Sequence, residues 1–221
     1  AAAGAGGPPT EFGQAYGGGY YTGNIVQGGI EYYLIVAPKA SGYSSSKQFK
    51  TSNTAAPSAT RTLNNGPAAS ASMNSAAYPA AQFCEALSIG GYTDWYLPAR
   101  DEIELYYRNL KAIVVNNNTN SRGKSSYTYP EGNDVVGDTM GVNRNSNPVG
   151  AAYTAGTPSQ TSITKFQTGG SEALSVGSNV WSSSEWSSSL AWYQSTYFGL
   201  QGSTSKTATL DGCIAFRREP V

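Results

Sequence analysis

The chain has 221 residues, enough for one principal domain with a sizeable core. Charged residues make up 13% of it, roughly half the usual ~25%, and 14 basic residues balance 14 acidic ones. This balance predicts no binding to nucleic acid, and the lack of an apolar run near ~18 residues predicts no insertion into a membrane.

The first part of the sequence predicts an arm followed by a small sheet. Residues 1–19 are rich in Gly and Ala, which favours a flexible arm. Residues 20–221 are predicted to form the domain. Its first strands are expected as a β-meander over residues 20–38, because apolar residues with strand character are separated there by turn signals at residues 23–24 and 28–29.

Two helices are predicted in the middle of the chain. The helix Pro79–Ser88 starts with a proline, which suits a first turn, and continues with apolar residues at helical spacing. A stronger amphipathic pattern predicts a second helix, Asp101–Leu110. Residues 39–73 are predicted to be loop apart from a short strand over residues 47–50.

The last third of the chain combines a long loop with an aromatic segment. Residues 116–170 are predicted to be mainly loop, interrupted by a short helix at Ser162–Gln167, and loops of that length are often functional. Trp181–Arg218, which we call the closing segment, is dense in aromatic residues separated by Ser, Thr, Gly and Gln. Such a mixture is typical of a binding surface, because rigid rings supply contact area and short polar side chains supply hydrogen bonds.

The residues needed for common catalytic sites are missing. The chain contains no histidine, and none of its serines lies in a GxSxG motif. A pair of carboxylates can hydrolyse glycosides, but nothing in the sequence pairs any two of them. We therefore predict no catalytic residue.

One acidic loop has the oxygen ligands that calcium prefers. Its residues are Glu131, Asn133, Asp134 and Asp138, but their spacing is not that of an EF-hand. We interpret the loop as solvated, and we predict no metal and no cofactor.

Two motifs resemble one known family. Residues 90–102, GGYTDWYLPARDE, resemble the "GYxDWxLPtrdEl" signature of a C-type lectin-like domain family. Residues 181–185, WSSSE, with residues 191–194, AWYQ, and residues 216–218, FRR, are similar to the closing pattern of that family. The family occurs in phage tail-fibre and receptor-binding proteins, including retroelement-diversified tip proteins, and in bacterial adhesins such as the collagen-like adhesin C-terminal domain.

The resemblance implies an α+β fold of the C-type lectin-like type, with two helices, a small mostly antiparallel sheet and long irregular loops. It also implies a disulfide between Cys84 and Cys213, the two cysteines of the chain. From the residues alone, two buried reduced thiols are an equally acceptable interpretation.

The resemblance further divides the closing segment into scaffold and contact positions. The implied scaffold positions are Trp181, Ser184, Glu185, Trp192, Gln194, Gly199 and Arg217. The implied ligand-facing positions are Val180, Trp186, Ser188, Leu190, Tyr193, Thr196, Tyr197, Phe198 and Leu200. Composition alone leaves the aromatic members of the second group open, either as exposed contacts or as packing residues.

Two departures from the family pattern matter. The EPN, QPD and WND triplets of calcium-dependent lectins are absent, so metal-bridged sugar binding is not expected. Ala99 also stands where Ser or Thr would complete a capping box with Glu102, at a cost near ~1 kcal/mol. Asp101 with Glu104 is expected to cap the helix one turn later.

Together these observations predict a non-enzymatic virion module that binds a bacterial surface receptor, either a glycan or a protein. The expected partners are that receptor, other virion proteins and two further copies of the chain in a homotrimer. A structural decoration or connector protein of the virion and a secreted, cell-surface bacterial adhesin are the alternatives.

Overall fold

Two five-stranded sheets are the main regular structure of the computed structural model, which describes residues 7–132, 138–174 and 177–221. The fold class is α+β, as predicted. The strands of the described residues are β1 (Ala15–Tyr16), β2 (Gly19–Gln27), β3 (Ile30–Val36), β4 (Tyr43–Gln48), β5 (Ser146–Asn147), β6 (Asn179–Glu185), β7 (Leu190–Ser195), β8 (Gln201–Ser205), β9 (Thr209–Ile214) and β10 (Phe216–Pro220). The helices are α1 (Lys39–Gly42), α2 (Gly66–Ala71), α3 (Pro79–Glu85) and α4 (Arg100–Leu110), with 3₁₀ turns at Ser58–Thr60 and Thr164–Phe166.

The closing segment contributes strands to both sheets. The N-terminal sheet has the order β1-β2-β3-β10, with β5 also paired to β2, and the closing sheet has the order β4-β9-β6-β7-β8. All their pairings are antiparallel except the one between β6 and β9. The closing segment ends in an apolar run, residues 213–218, whose β character predicts one final strand. In the structure this strand is divided at Ala215, so that Cys213 lies in the closing sheet and Phe216 in the N-terminal sheet.

The predicted β-meander is a single hairpin of β2 and β3. Its turn at residues 28–29 is confirmed, but the predicted turn at residues 23–24 is wrong. The chain continues straight through Gly23, where the register shifts and φ is +137°. Glycine at this position accommodates a β-bulge rather than a reversal, because the bulge needs a backbone conformation that other residues avoid.

The second half of the predicted arm belongs to the N-terminal sheet. Residues 1–6 lie outside the described part, but Ala15 pairs with Tyr20 across a turn formed by two glycines with positive φ. The backbone N–H of Gly13 donates to the carbonyl oxygen of Tyr21 over 2.7 Å. The segment is therefore held by main-chain hydrogen bonds from Gly13 onward.

Helix α4 is the central helix, and the prediction places it within one residue. Its apolar face contributes Ile103, Tyr106 and Leu110 to a core cluster shared with both sheets. One of the two hydrogen bonds of a capping box forms although residue 99 is not a serine. The N–H of Ala99 donates to Oε2 of Glu102 over 2.8 Å. The cap expected from Asp101 is not formed, because that carboxylate bonds to Arg100 and Asn145 instead.

The remaining elements agree only partly with the prediction. Helix α3 begins at Pro79 but ends at Glu85, before Ser88. The strand expected over residues 47–50 is β4, which begins at Tyr43, and α2 was not expected. In the long loop the expected helix Ser162–Gln167 is a 3₁₀ turn. No helix of the described residues has the length and apolar character needed to cross a membrane.

The two cysteines meet in the core as free thiols. Cys84 on α3 and Cys213 on β9 are both completely buried, and the Cys213 thiol contacts the carbonyl oxygen of Ala80 at 3.8 Å. Burial raises the pKa of Cys84 well above its usual value, and a hydrogen bond with Cys213 acts in the same direction. The pairing implied by the resemblance is thus present as a contact and not as a bond.

Candidate binding surface

The stretch WSSSE of β6 is completely buried and joins the two motifs that carry the resemblance. The hydroxyl of Ser184 donates to the carbonyl oxygen of Thr62 over 2.6 Å and accepts the N–H of Arg100 over 3.0 Å. The N–H of Ser183 donates to the carbonyl oxygen of Pro98 over 2.7 Å. Ser184 bonds to the approaching backbone through its hydroxyl and Ser183 through its main-chain N–H, and together these contacts fix β6 against the start of α4.

A buried ion pair holds the connection between β6 and β7. Glu185, at the end of β6, pairs with the ammonium group of Lys206, and neither side chain is exposed. The Glu185 carboxylate also accepts the N–H of Ala56 over 2.7 Å. Burial lowers the pKa of Lys206, while its hydrogen bond to Glu185 opposes that shift.

Lys206 also forms hydrogen bonds directly with the turn between β6 and β7. Its Nζ donates to the carbonyl oxygen of Ser188 over 2.8 Å, and its backbone N–H donates to the carbonyl oxygen of Ser189 over 3.1 Å. Removal of either Glu185 or Lys206 would leave an uncompensated buried charge, which is strongly destabilising. The turn over residues 186–189 is therefore held by a pair that is costly to separate.

Trp186 opens this turn and is half-buried. Its ring packs on Trp192 with 4.2 Å between centroids and an interplanar angle of 59°. The carbonyl oxygen of Trp186 accepts the hydroxyl of Ser125 over 2.6 Å and the N–H of Ser126 over 3.0 Å. A side chain at Gly123 would clash with the indole, since a Cβ there would lie 2.5 Å from it. The long loop therefore fits closely around one side of Trp186.

Two residues that sequence reasoning missed lie beside this turn. The guanidinium of Arg61 lies 4.1 Å from the ring centre of Tyr127, and the Arg61 side chain is 38% exposed. Arg61 also approaches the Glu185 carboxylate at 3.5 Å. No local signal marks either residue, because the two are brought together from separate loops. We call Arg61, Tyr127, Trp186, Ser188 and Leu190 the turn surface.

Three other predicted contact residues lie at the opposite end of β7. Tyr197 and Phe198 are half-buried and pack edge to face at 5.7 Å. Leu200 packs against a cluster of Tyr107, Met140 and Tyr153. The β7 strand has six residues, so this end lies roughly 17–20 Å from the turn surface. The predicted residues thus do not form one continuous face.

Three predicted contact positions point into the protein. Thr196 is buried and its hydroxyl donates to the carbonyl oxygen of Ser178 over 3.0 Å, and Val180 is completely buried. Tyr193 is half-buried and packs against the core cluster that contains Trp181. Tyr193 pairs with Trp181 and so lies on the opposite face of the closing sheet from Val180, and both faces are covered by core clusters. Val180 and Thr196 are therefore not surface residues of this chain. The scaffold positions are all buried, namely Trp181, Ser184, Glu185, Trp192, Gln194, Gly199 and Arg217.

The carboxylates of α4 act as structural anchors. Glu102 is completely buried and accepts the Tyr96 hydroxyl over 3.2 Å, with Arg218 at 3.5 Å. Burial raises the pKa of Glu102 to about 7, although Arg218 and the N–H of Ala99 act in the opposite direction. A perturbed carboxylate marks a catalytic candidate only where a substrate can reach it. Glu102 instead stabilises the start of the helix.

The acidic loop has no assembled metal site among the residues that the structure describes. Asn133 and Asp134 lie outside them. Glu131 accepts the hydroxyl of Thr62, and Asp138 pairs with Arg144 and with Arg122 at 3.3 Å. The hydrogen bond from Arg144 lowers the pKa of Asp138.

Comparison of the chain with models of known protein families gives no match, and neither does comparison with curated proteins. The assignment of function therefore depends on the residues and contacts described above.

Proposed function

We propose that this chain is a non-enzymatic binding module of a phage virion, in a tail fibre or tail tip, which attaches to a receptor on the bacterial surface. The receptor is a glycan or a protein, and the chain has the C-type lectin-like fold of the family that its two motifs resemble. The contacts of Ser183 with Pro98 and of Ser184 with Arg100 support this proposal, since they join both motifs in one frame.

The observation that carries the proposal is the contrast between the turn surface and the frame beneath it. Trp186, Ser188 and Leu190 are accessible at the end of the β6–β7 hairpin, while Trp181, Glu185 and Trp192 below them are completely buried. A binding site is most specific when its contact residues are held by neighbours that are themselves fixed by packing and hydrogen bonds. An aromatic ring and a guanidinium are the groups that most often carry binding energy in protein recognition, and hydroxyl groups beside them supply adaptable hydrogen bonds.

Several copies on one virion give a weak single site a high overall affinity, and the closed symmetry of appendages favours a homotrimer. The structural decoration protein and the adhesin remain the alternatives. The first of them uses the turn surface against neighbouring virion subunits. The second uses the same surface on the outside of a bacterial cell.

Binding of the purified chain to intact candidate host cells tests the proposal. We expect saturable binding that Trp186→Ala weakens by at least about thirtyfold, the effect of losing one central aromatic contact. Tyr197→Ala is the matched control, because it removes a half-buried ring at the far end of β7. Its binding should stay within about twofold of the wild type, with both variants shown to fold by circular dichroism.

Two results would contradict the proposal. Saturable binding that Trp186→Ala leaves unchanged would show that the turn surface is not the contact site. Absence of saturable binding to any host, together with failure of the Trp186→Ala variant to join assembled particles, would favour the structural protein.

A further inference from the structure

A second accessible site lies at the other end of α4. A groove of about 910 Å³ opens between residues 10–12 and residues 157–163, over a floor of Tyr21, Arg108 and Asn109. Its volume lies within the ~300–1,000 Å³ of ligand pockets. The buried frame beneath the turn surface bonds to the first turn of α4, whereas the groove contacts its last turn, and the 11-residue helix separates the two contacts by roughly 15 Å.

Phe12 forms an aromatic platform at the edge of this groove. Its side chain is 43% exposed, which makes it one of the few large apolar side chains at the surface of the described residues. One face of the ring is stacked on Tyr21, with 5.8 Å between centroids and 25° between planes. Tyr21 is fixed in turn by an edge-to-face contact with Tyr33 at 5.8 Å. The ring is therefore held firmly while part of it stays in contact with solvent.

The backbone that carries Phe12 is held in place by short hydrogen bonds. The N–H of Tyr21 donates to the carbonyl oxygen of Gln14 over 2.9 Å, and the Gln14 side chain accepts the N–H of Thr10 over 2.9 Å. Gly13 has φ of +70°, and a Cβ there would lie 2.8 Å from Cδ1 of Ile163 in the opposite wall. The glycine thus lets the two walls approach without closing the groove.

Lys111 fixes the opposite wall from below. It is buried, its Nζ donates to the carbonyl oxygen of Pro158 over 3.1 Å, and its own carbonyl oxygen accepts the N–H of Thr161 over 2.9 Å. Gln160 adds a bond from its side chain to the carbonyl oxygen of Ala112 over 2.8 Å. Both walls are therefore preformed, which reduces the entropy lost on binding.

The positive charge in the groove is already neutralised. Arg108 is turned away from the opening, with its Nε 2.9 Å from the Glu104 carboxylate and its Nη2 bonded to the carbonyl oxygens of Gly141 and Ala151. The remaining charge is the exposed carboxylate of Glu11. Phosphate, sulfate or uronate groups are disfavoured here, because they would meet a negative charge and no available cation.

The groups that remain for a ligand are neutral and polar. Ser159 and Ser162 are exposed, and their hydroxyls make no hydrogen bond within the described part of the chain. Asn109 donates through Nδ2 to the carbonyl oxygen of Thr22 over 2.7 Å, which leaves its Oδ1 as an acceptor. Peptides are usually recognised by an open strand edge or by a series of apolar pockets. This groove offers one ring and scattered hydroxyl and amide groups instead.

We propose that the groove binds a neutral oligosaccharide, with the apolar face of one sugar ring on Phe12 and its hydroxyl groups bonded to Ser159, Ser162 and Asn109. This site is distinct from the turn surface and does not depend on the function proposed for it. A module with both sites recognises two features of a surface at the same time.

The test is binding of the full chain to an array of neutral oligosaccharides of four to six hexose or N-acetylhexosamine units. We expect saturable binding of at least one of them, weakened about tenfold or more by Phe12→Ala and retained by Phe12→Trp, which keeps the platform. Trp186→Ala serves as the control and should leave this binding unchanged. Thermal unfolding of each variant verifies that it is folded.

Three outcomes would overturn the proposal. They are the absence of binding to every neutral oligosaccharide, binding that Phe12→Ala leaves unchanged, and binding restricted to matched uronate-containing oligosaccharides or to a pool of random heptapeptides. Failure of the turn surface is seen separately, as intact-cell binding that does not respond to Trp186→Ala. The two proposals can therefore fail independently.

Discussion

The turn surface and the groove hold their aromatic residues by different means. Trp186 rests on a frame that contains a buried carboxylate and ammonium group, Glu185 and Lys206. Phe12 rests on Tyr21 and on main-chain hydrogen bonds, and the carboxylate nearest to it, Glu11, is exposed. A similar exposed ring can thus be fixed by buried charges or by stacking, and the two kinds of support should respond differently to substitution and to pH.

The largest difference should appear when one carboxylate is neutralised in each region. Glu185→Gln leaves Lys206 buried without its partner and should lower the free energy of unfolding by about 3–5 kcal/mol. Glu11→Gln removes an exposed charge and should change it by less than about 0.5 kcal/mol. Chemical denaturation of both variants measures the difference. Equal effects would mean that the buried pair contributes nothing particular to the closing sheet.

A change of pH should also affect the support of the turn surface more than that of the groove. The pKa of Glu102 is about 7 in the folded protein and near 4.3 in an unfolded chain. Between these values the folded state binds more protons at Glu102, so the contribution of this group to stability is fully present below about pH 4 and decreases by about 3 kcal/mol as the pH rises to 7. The Glu102→Gln variant should lack this dependence.

Hydrogen exchange can locate that effect. Glu102 fixes the first turn of α4, whose Arg100 N–H bonds to Ser184 below the turn surface. After correction for the effect of pH on intrinsic exchange, the amide of Arg100 should therefore exchange faster relative to that of Gly13 as the pH rises. A wild-type stability curve that is flat from pH 4.5 to 7 would rule out the assigned role of burial at Glu102.

The smallest of these effects belongs to the groove. Gly13→Ala places a residue with a Cβ at φ of +70° and against Ile163, and should cost about 2 kcal/mol. Gly91→Ala is the matched control, because φ is +86° there but no atom lies within 4 Å of the added Cβ. It should cost about 1 kcal/mol. A Gly13→Ala variant as stable as this control, with unchanged oligosaccharide binding, would show that the walls are not closely fitted.

Sequence patterns predict the local elements of both regions better than their surroundings. The amphipathic spacing of α4 is a local property, and the helix that it predicts is confirmed. The division of the predicted contact residues between two ends of β7 is not local. It depends on where β7 begins and ends and on which of its faces the long loop covers.

The missed residues illustrate the same limit. Phe12 stands in a Gly- and Ala-rich stretch that predicts an arm, and only its contact with Tyr21 in the sheet makes it a platform. Arg61 and Tyr127 meet across 66 positions of sequence, as 127 − 61, with no periodicity to connect them. Glycine at residue 23 predicts a turn and occupies a bulge, because turns and bulges both need its backbone freedom.

The passage of the chain from β9 to β10 has a mechanical consequence. At Ala215 the backbone leaves one sheet for the other, with its N–H bonded to the carbonyl oxygen of Gly42 and its own carbonyl oxygen bonded to the N–H of Ala37. A tension applied along β10 would act perpendicular to the hydrogen bonds of its five pairings with β3, from Phe216 to Pro220. Hydrogen bonds sheared in this way must rupture together rather than one after another, so the join between the sheets resists drag far better than it would resist peeling.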